Sequence, residues 1–337
     1  MESKTRENIK RKRLQRKRIR RIRFLRFLVF VVIVGSLGGL IAFAGYHIYT
    51  LGSHVYQSYE AMYAGYEQRQ QEKRGMLDAR FDGYTNVLVL GVDDGADASM
   101  LAGQHADTIM LLSLENTTGK VRVISIPRDT LVNIPGRASG QKLSAAFAYG
   151  GAPLTVQTVS ALLGVSIHQY VTIDVRALTE LVDLLGGIDL YVENDMDYQD
   201  PEAGLEIHLK KGYQHLDGDT AQKYLRYRSS ELGDIGRVQR QQHFVKALYE
   251  QALKLDTLRK LPGIADLFQH RMSTSAEIFD SGHLANVLRH LNTAEPETFM
   301  LPGGSDGDAW IPDQQMLDTK IKELFPDSLS PAEEDKN

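Results

Sequence analysis

The longest uninterrupted apolar stretch is FLVFVVIVGSLGGLIAFAGY, residues 27–46, twenty positions without a charge. At 1.5 Å rise per residue, a helix of about 20 residues crosses a hydrocarbon core of about 30 Å. The pattern therefore predicts one transmembrane helix. Beyond it the apolar runs shorten. Residues 87–92 and 109–114 read as buried strands, and 121–126 reads as another after the turn signal at 116–119. Helical spacing appears over 153–163, following Gly150-Gly151. A strand over 170–175, a helix over 177–185 stopped by Gly186-Gly187, and a strand over 188–192 come next. Helical spacing resumes at 218–227 and 236–255. Strands and helices mixed in one continuous run predict a single α/β domain, a central sheet flanked by helices.

Charge orients this arrangement. Residues 1–26 hold 13 basic side chains against Glu2 and Glu7, while the whole chain of 337 residues has a net charge of -4. A basic tail directly before an apolar span places the N-terminus in the cytoplasm and the rest outside, and it can bind anionic membrane lipid. A cleaved signal peptide is the alternative, since Ala42-Phe43-Ala44 resembles a cleavage site, but the apolar run exceeds the usual length of a signal's core. A nucleic-acid-binding arm is disfavoured: the basic segment is a membrane-flanking tail with no helix-turn-helix after it, so no nucleic-acid partner is expected. Gly35 and Gly39 have the GxxxG spacing that either pairs two membrane helices into a homodimer or arises by chance. Residues 47–83 read as a helical stalk in which Tyr56, Tyr59, Tyr63 and Tyr66 form one stripe. The extracellular domain is expected over 84–327, with 328–337 a short polar tail. The chain has no cysteine, which excludes disulfides, thiol nucleophiles and cysteine-ligated metals.

Four clusters carry candidate chemistry. Asp93 and Asp94 follow the 87–92 strand, and Asp107 precedes the 109–114 strand. If these strands are neighbours, Asp93 and Asp107 converge at one sheet edge as hard oxygen ligands suited to Mg²⁺; otherwise they only shape turns. His105, beside Asp107, has no partner at zinc-ligand spacing. The third cluster is Ser125-Ile126-Pro127-Arg128-Asp129, followed by Lys142. The fourth is Leu225-Arg226-Tyr227-Arg228, then Gly233 to Gln241 with Asp234, Arg237 and Gln241. Arg226 and Arg228 would point the same way in an extended segment, and Arg237 and Gln241 share a helix face. Converging arginines grip phosphate with planar forks; alternatively these arginines pair with surface carboxylates such as Glu231 and Asp234. The apolar segments 145–148 and 154–163 are either core or a lipid-binding tunnel.

The ordered motifs VLVLGVDD, HADTIMLLSL, SIPRDTLVNIPG, LKKGYQHLDGDTAQKYLRYR and GDIGRVQRQQ resemble the LytR-CpsA-Psr family of membrane-anchored cell-wall proteins. The resemblance is strong over residues 86–255 and weaker at LPGG (301–304) and AWIPD (309–313). It implies a phosphotransferase of a Gram-positive-type envelope. Such an enzyme moves a glycopolymer (teichoic acid, capsule or other wall polysaccharide) from an undecaprenyl-pyrophosphate carrier to peptidoglycan. By the same resemblance, Asp93 and Asp107 match magnesium-associated positions, with Mn²⁺ as the alternative ion. Arg128, Arg226, Arg228 and Arg237 match pyrophosphate-binding arginines, with Gln241 beside them and Lys142 near them. Asp129 and Asp234 match motif positions of less defined role.

Two departures from the family's pattern are His105, where arginine is common, and Ser144, where asparagine is common. The expected chemistry is in-line attack by a sugar hydroxyl on the glycan-linked phosphorus. Arg128, Arg226, Arg228 and Arg237 then neutralise charge, while Asp107 or Asp93, with Asp234 as an outsider, accepts the proton. A pyrophosphatase using water as acceptor, and a non-catalytic polyprenyl-phosphate-binding protein, are the competing functions.

Overall fold

The structure is a computed structural model that describes residues 78–92, 104–200, 205–227, 233–275 and 281–326, with isolated positions between 43 and 53. Asp93, Asp94, Arg228, the tyrosine stripe, the GxxxG pair and the basic tail lie outside the described residues, as does the predicted span apart from Phe43, Gly45 and Tyr46. Among the described residues no helix is long and apolar enough to cross a membrane. The chain divides into two units, 1–69 and 70–337, and the architecture below is that of the second.

The chain opens with β1 (Tyr84–Val92), β2 (Ala106–Glu115) and β3 (Val121–Ile126), then the short β4 (Leu131–Val132) and β5 (Gln141–Lys142). Next come α1 (Ser144–Leu163), β6 (Gln169–Asp174), α2 (Val175–Leu185), β7 (Ile188–Val192), β8 (Met196–Asp200), β9 (Leu205–Leu209) and β10 (Gly212–Leu216). They are followed by α3 (Gly218–Arg226), α4 (Gly233–Ala252), α5 (Thr257–Arg271), β11 (Ser273–Thr274) and α6 (Ser281–His290). Last come β12 (Glu297–Met300), β13 (Gly303–Asp306), β14 (Ala309–Pro312) and α7 (Gln314–Leu324).

Six strands make the central sheet in the order β11-β6-β1-β2-β3-β12. β2 runs antiparallel to both β1 and β3, while β6 and β12 add in parallel to β1 and β3. Strict alternation in β1 explains its two faces. Tyr84, Leu88, Leu90 and Val92 join Phe147, Val159 and Leu163 of α1 and Leu317 of α7 in one core. Phe81 belongs to this core too, and Phe325 meets the rings of Phe81 and Tyr84 edge-on at 5.4 and 4.9 Å. Val87, on the opposite face, packs with Ala177, Leu181 and Leu185 of α2 and Ile264 and Leu267 of α5. The sheet is thus covered on both sides, and the apolar segments 145–148 and 154–163 contribute Ala146, Phe147, Val159 and Leu163 to the core.

A second core lies under α3 and α4, where the β7–β10 ladder and the β8–β9 hairpin contribute Ile188, Leu190, Val192, Ile207 and Leu216. Tyr224 and Phe244 seal it from the helices.

Helix α1 extends further toward the N-terminus than the sequence predicts, from Ser144, but its φ/ψ angles are non-helical at Gly150 and Gly151, so the helical stretch expected over 153–163 does follow a break there. Gly151 takes φ +62°, a left-handed conformation open to glycine, just before Pro153, which has no N–H to donate.

Candidate functional site

The site is built where three neighbouring strands end. Val92 closes β1 opposite Ala106, after a register shift between Gly91 and Val92. That shift brings Gly91 against Thr108 so closely that a Cβ would lie 2.8 Å from the threonine Cβ. β1 and β2 are therefore neighbours, and Asp107 enters β2 at the end where β1 leaves. At the same end Ile126 of β3 pairs with Ile109 of β2, so Arg128 emerges beside Asp107. Its guanidinium Nη1 donates to Asp107 Oδ1, and its Nε lies 3.4 Å from Asp129 Oδ2.

Backbone hydrogen bonds from two other segments fix the loop that carries Arg128. Ser144 N–H donates to the Arg128 carbonyl at 2.9 Å, Leu143 N–H to Thr130 at 2.9 Å, and Trp310 N–H to Asp129 at 3.0 Å. Ser144, one of the two departures from the family pattern, thus serves the site through its main chain. Lys142 is held between two carboxylates, Asp129 at 3.2 Å and Asp308 at 2.8 Å. The carboxyl of Asp308 sits below its ordinary range because of the Lys142 hydrogen bond, and the Lys142 ammonium is raised by Asp308 first and Asp129 second.

α4 closes the other side. Its Gln241 Nε2 donates to Thr108 Oγ1 at 2.8 Å and its Gln242 Nε2 to Ser125 Oγ at 3.2 Å, which lays the helix across the ends of β2 and β3. Arg237, one turn earlier and 7% exposed, enters the cleft. The cleft has a volume of about 460 Å³ and is lined by Arg128, Asp129, Lys142, Arg237, Asp308 and Trp310, among others. Three cations, Arg128, Lys142 and Arg237, thus converge among the carboxylates Asp107, Asp129 and Asp308, and planar guanidinium forks at such a point suit an anion bearing more than one charge.

The structure thus brings together Arg128, Lys142 and Arg237, with Asp107 paired to the first and Gln241 bracing the helix of the third. It does not bring Arg226 to them. Arg226 is the last residue of α3 and lines a separate groove of about 670 Å³ with Arg176, Glu180 and Gln222. It makes no hydrogen bond or ion pair with a described residue. Asp93 and Arg228 lie outside the described residues, as does the side chain of Asp234. Among the described residues no group of three or more His, Asp or Glu side chains could hold a metal ion.

Sequence reasoning missed the hairpin β13–β14, which walls the cleft with Ser305, Asp308 and Trp310. The segment AWIPD, noted only for its likeness to the family's closing segment, forms its second strand, but nothing in the local pattern said that it would reach back to Asp129.

A sequence profile described as the LytR_cpsA_psr family matches residues 49–325. The polyisoprenyl-teichoic acid–peptidoglycan teichoic acid transferase TagV of Bacillus subtilis (strain 168) is 28% identical over 268 residues, covering 78% of this chain and 67% of TagV. The transferase TagU of Enterococcus faecalis (strain ATCC 700802 / V583) is 30% identical over 221 residues, 65% of this chain and 71% of TagU. The crystal structure of B. subtilis TagV superposes with a TM-score of 0.62 at 27% identity, covering 74% of this chain and 98% of that one. That of TagT bound to LI-WTA does so with 0.58 at 25%, covering 74% and 92%. With a matching profile over most of its length and a fold shared with these proteins, the chain belongs to the LytR_cpsA_psr family.

Proposed function

We propose that this protein transfers a glycopolymer from an undecaprenyl-pyrophosphate carrier to a hydroxyl of peptidoglycan, forming a phosphodiester. The observation that carries this reading is the enclosed cleft in which Arg128, Lys142 and Arg237 meet. Such a cleft suits a pyrophosphate, whose two phosphoryl groups need more cations than one surface ion pair supplies. The relatives point the same way, being named as teichoic acid transferases.

In this mechanism the sugar hydroxyl attacks the phosphorus attached to the glycan. A new oxygen–phosphorus bond forms, the bridging oxygen–phosphorus bond breaks, and undecaprenyl phosphate leaves. Arg128, Arg237 and Lys142 neutralise charge on the non-transferred oxygens and on the leaving phosphate, while Arg226, in its own groove, would contact a more distant part of the substrate. The hydroxyl proton passes to a carboxylate at the sheet end, for which Asp107 is the candidate and Asp93 the alternative. Carboxylate oxygens are the donor type that a hard cation takes. Asp107 is one-quarter exposed beside Arg128, so it fits such a role, and Asp93 and Asp107 would hold Mg²⁺ or Mn²⁺. When bound, the ion supplies further neutralisation of phosphoryl oxygens. Residues 27–46 would anchor the domain outside the cell, where both substrates are available.

The test uses the full chain in detergent with a short polyprenyl-pyrophosphoryl saccharide, a peptidoglycan oligomer and Mg²⁺, followed by mass spectrometry. A saccharide–peptidoglycan phosphodiester, lost in Arg128→Ala, is expected. Free phosphosaccharide alone, or binding without turnover, would overturn the transferase reading.

A further inference from the structure

Arg240 lies on α4, three residues beyond Arg237, and is 5% exposed. No carboxylate among the described residues forms an ion pair with it. Its Nη2 donates instead to the Tyr227 carbonyl at 2.6 Å, and its guanidinium carbon stands 5.3 Å from the centroid of the Tyr227 ring. Its Nε is buried without a hydrogen-bond partner. Burial pushes the Arg240 pKa below the ordinary value, against opposing pulls from Tyr224, Glu193 and Tyr227. A buried charge without an ion-pair partner is costly, and burial alone does not explain why an arginine stands here.

Its position does. Tyr227 caps the C-terminus of α3, where carbonyls lack intrahelical donors and carry partial negative charge. A basic side chain donating there is a helix cap, and this one comes from a different helix. The residue before Tyr227 is Arg226, which lines the groove, and the helix that supplies the cap also carries Arg237 into the cleft. The neighbouring contacts stiffen the same junction. Tyr224 of α3 donates to Glu193 Oε1 at 2.8 Å, and His243 of α4 shares that oxygen.

We propose that Arg240 is a positioning residue: by capping α3 from α4 it fixes the offset between the Arg226 groove and the Arg237 cleft, for a substrate that reaches from one to the other. This rests on the reading of the cleft as a pyrophosphate site. Arg240 itself touches no substrate. It acts through the helix terminus that Arg226 ends.

The test is a double-mutant cycle on the full chain in detergent, with geranyl pyrophosphate as the titrated probe and thermal melting as the control for folding. Arg240→Gln should raise the Kd about tenfold, within the range of coupled neighbours. Arg240→Lys, which keeps a donor and a charge for the carbonyl, should restore it to within about threefold. In the Arg226→Ala background, Arg240→Gln should add less than about twofold.

Equal factors in both backgrounds, or a lower melting temperature with unchanged Kd, would overturn the inference. So would an Arg226→Ala variant that binds normally. Should Arg240→Gln fail to fold, Arg240→Lys is read instead: a Kd raised by up to about threefold that disappears in the Arg226→Ala background supports the inference, and the wild-type Kd in both backgrounds overturns it. Arg128→Ala serves as the separate control. If it leaves binding unchanged, the cleft reading fails and the inference falls with it; if it weakens binding while Arg240→Gln does not, the inference alone falls.

Discussion

Arg122 and Arg240 are almost equally buried, at 7% and 5% exposure, yet their surroundings have little in common. Arg122, on β3, meets Glu115 at 2.9 Å and Glu297 at 3.6 Å, and Glu297 also takes Lys120 at 2.6 Å. Glu297 faces it across the β3–β12 ladder, and Glu115, the nearer partner, reaches it diagonally from β2, where Ser113 is the residue opposite. Arg240 has a carbonyl and an aromatic face in place of a carboxylate. Where the chain needs a sheet edge held together, it matches cation to carboxylate side chain by side chain. Near the cleft Arg128 and Lys142 share Asp107, Asp129 and Asp308, with Arg237 beside them, so an entering anion competes with carboxylates for these cations.

The strongest way to break this contrast is to remove a cleft cation. Arg128→Ala or Arg237→Ala should lower the transfer rate by about 100-fold to 1,000-fold, the scale seen when a preorganised group that stabilises developing charge is lost. Product mass spectrometry over time measures it, and a loss below threefold would place the chemistry elsewhere.

Arg122→Ala should do the reverse. It strands Glu115, which is 15% exposed, at a cost of about 3 kcal/mol, while turnover per folded molecule stays at the wild-type value. Calorimetry together with active-fraction titration separates the two. A smaller loss, about 1–2 kcal/mol, is expected for Tyr224→Phe, because the fully buried hydroxyl that Glu193 accepts disappears. Chemical denaturation reads that loss.

The smallest effect concerns Asp308, whose exposed carboxylate competes with an incoming anion for Lys142. Asp308→Asn should tighten pyrophosphate binding by about threefold at low salt, and the gain should fade as ionic strength rises. The folded-state pKa of Asp308 is depressed. Its charged contact is therefore present above the ordinary carboxylate value, and it is lost as pH falls through the lower folded value. The advantage of Asp308→Asn should persist from pH 8 to about pH 5 and shrink only below about pH 4. Isothermal titration at several pH values checks this, and a gain that vanishes near neutrality would contradict it.

Much of the fold was legible because its strands are short apolar runs bounded by glycine or turn residues. The 121–126 and 188–192 strands stand where the pattern put them. The helix expected over 236–255 occupies Gly233–Ala252 instead. Leu255 continues the apolar spacing but is 85% exposed, so the periodicity ran past the packing. The β8–β9 hairpin was hidden for another reason: in β9 Glu206 and His208 alternate with single buried residues, while in β8 Asp197, Tyr198 and Gln199 are all exposed after Met196, so neither run is apolar enough to notice.

At the site, local motifs marked Asp107, Arg128, Lys142 and Arg237, all beside strand or helix ends. Arg240 was hidden in the same run as Arg237, because helical phase does not say which arginine faces a cleft and which faces another helix. Asp308 and Trp310 were hidden by distance along the chain, since what joins them to Asp129 is a tertiary contact without a local pattern.

That distance sets an order of assembly. The loop bearing Arg128 is made early, but the cleft wall formed by residues 303–312 is made near the end of the domain, and so is β12, which completes the sheet beside β3. Contacts so far apart in sequence form only once the intervening chain is present. A chain that still lacks residues 303–312 therefore carries Arg128 and Arg237 without the wall that closes the cleft beside them, so the two arginines reach their final setting only when the last part of the domain has been made.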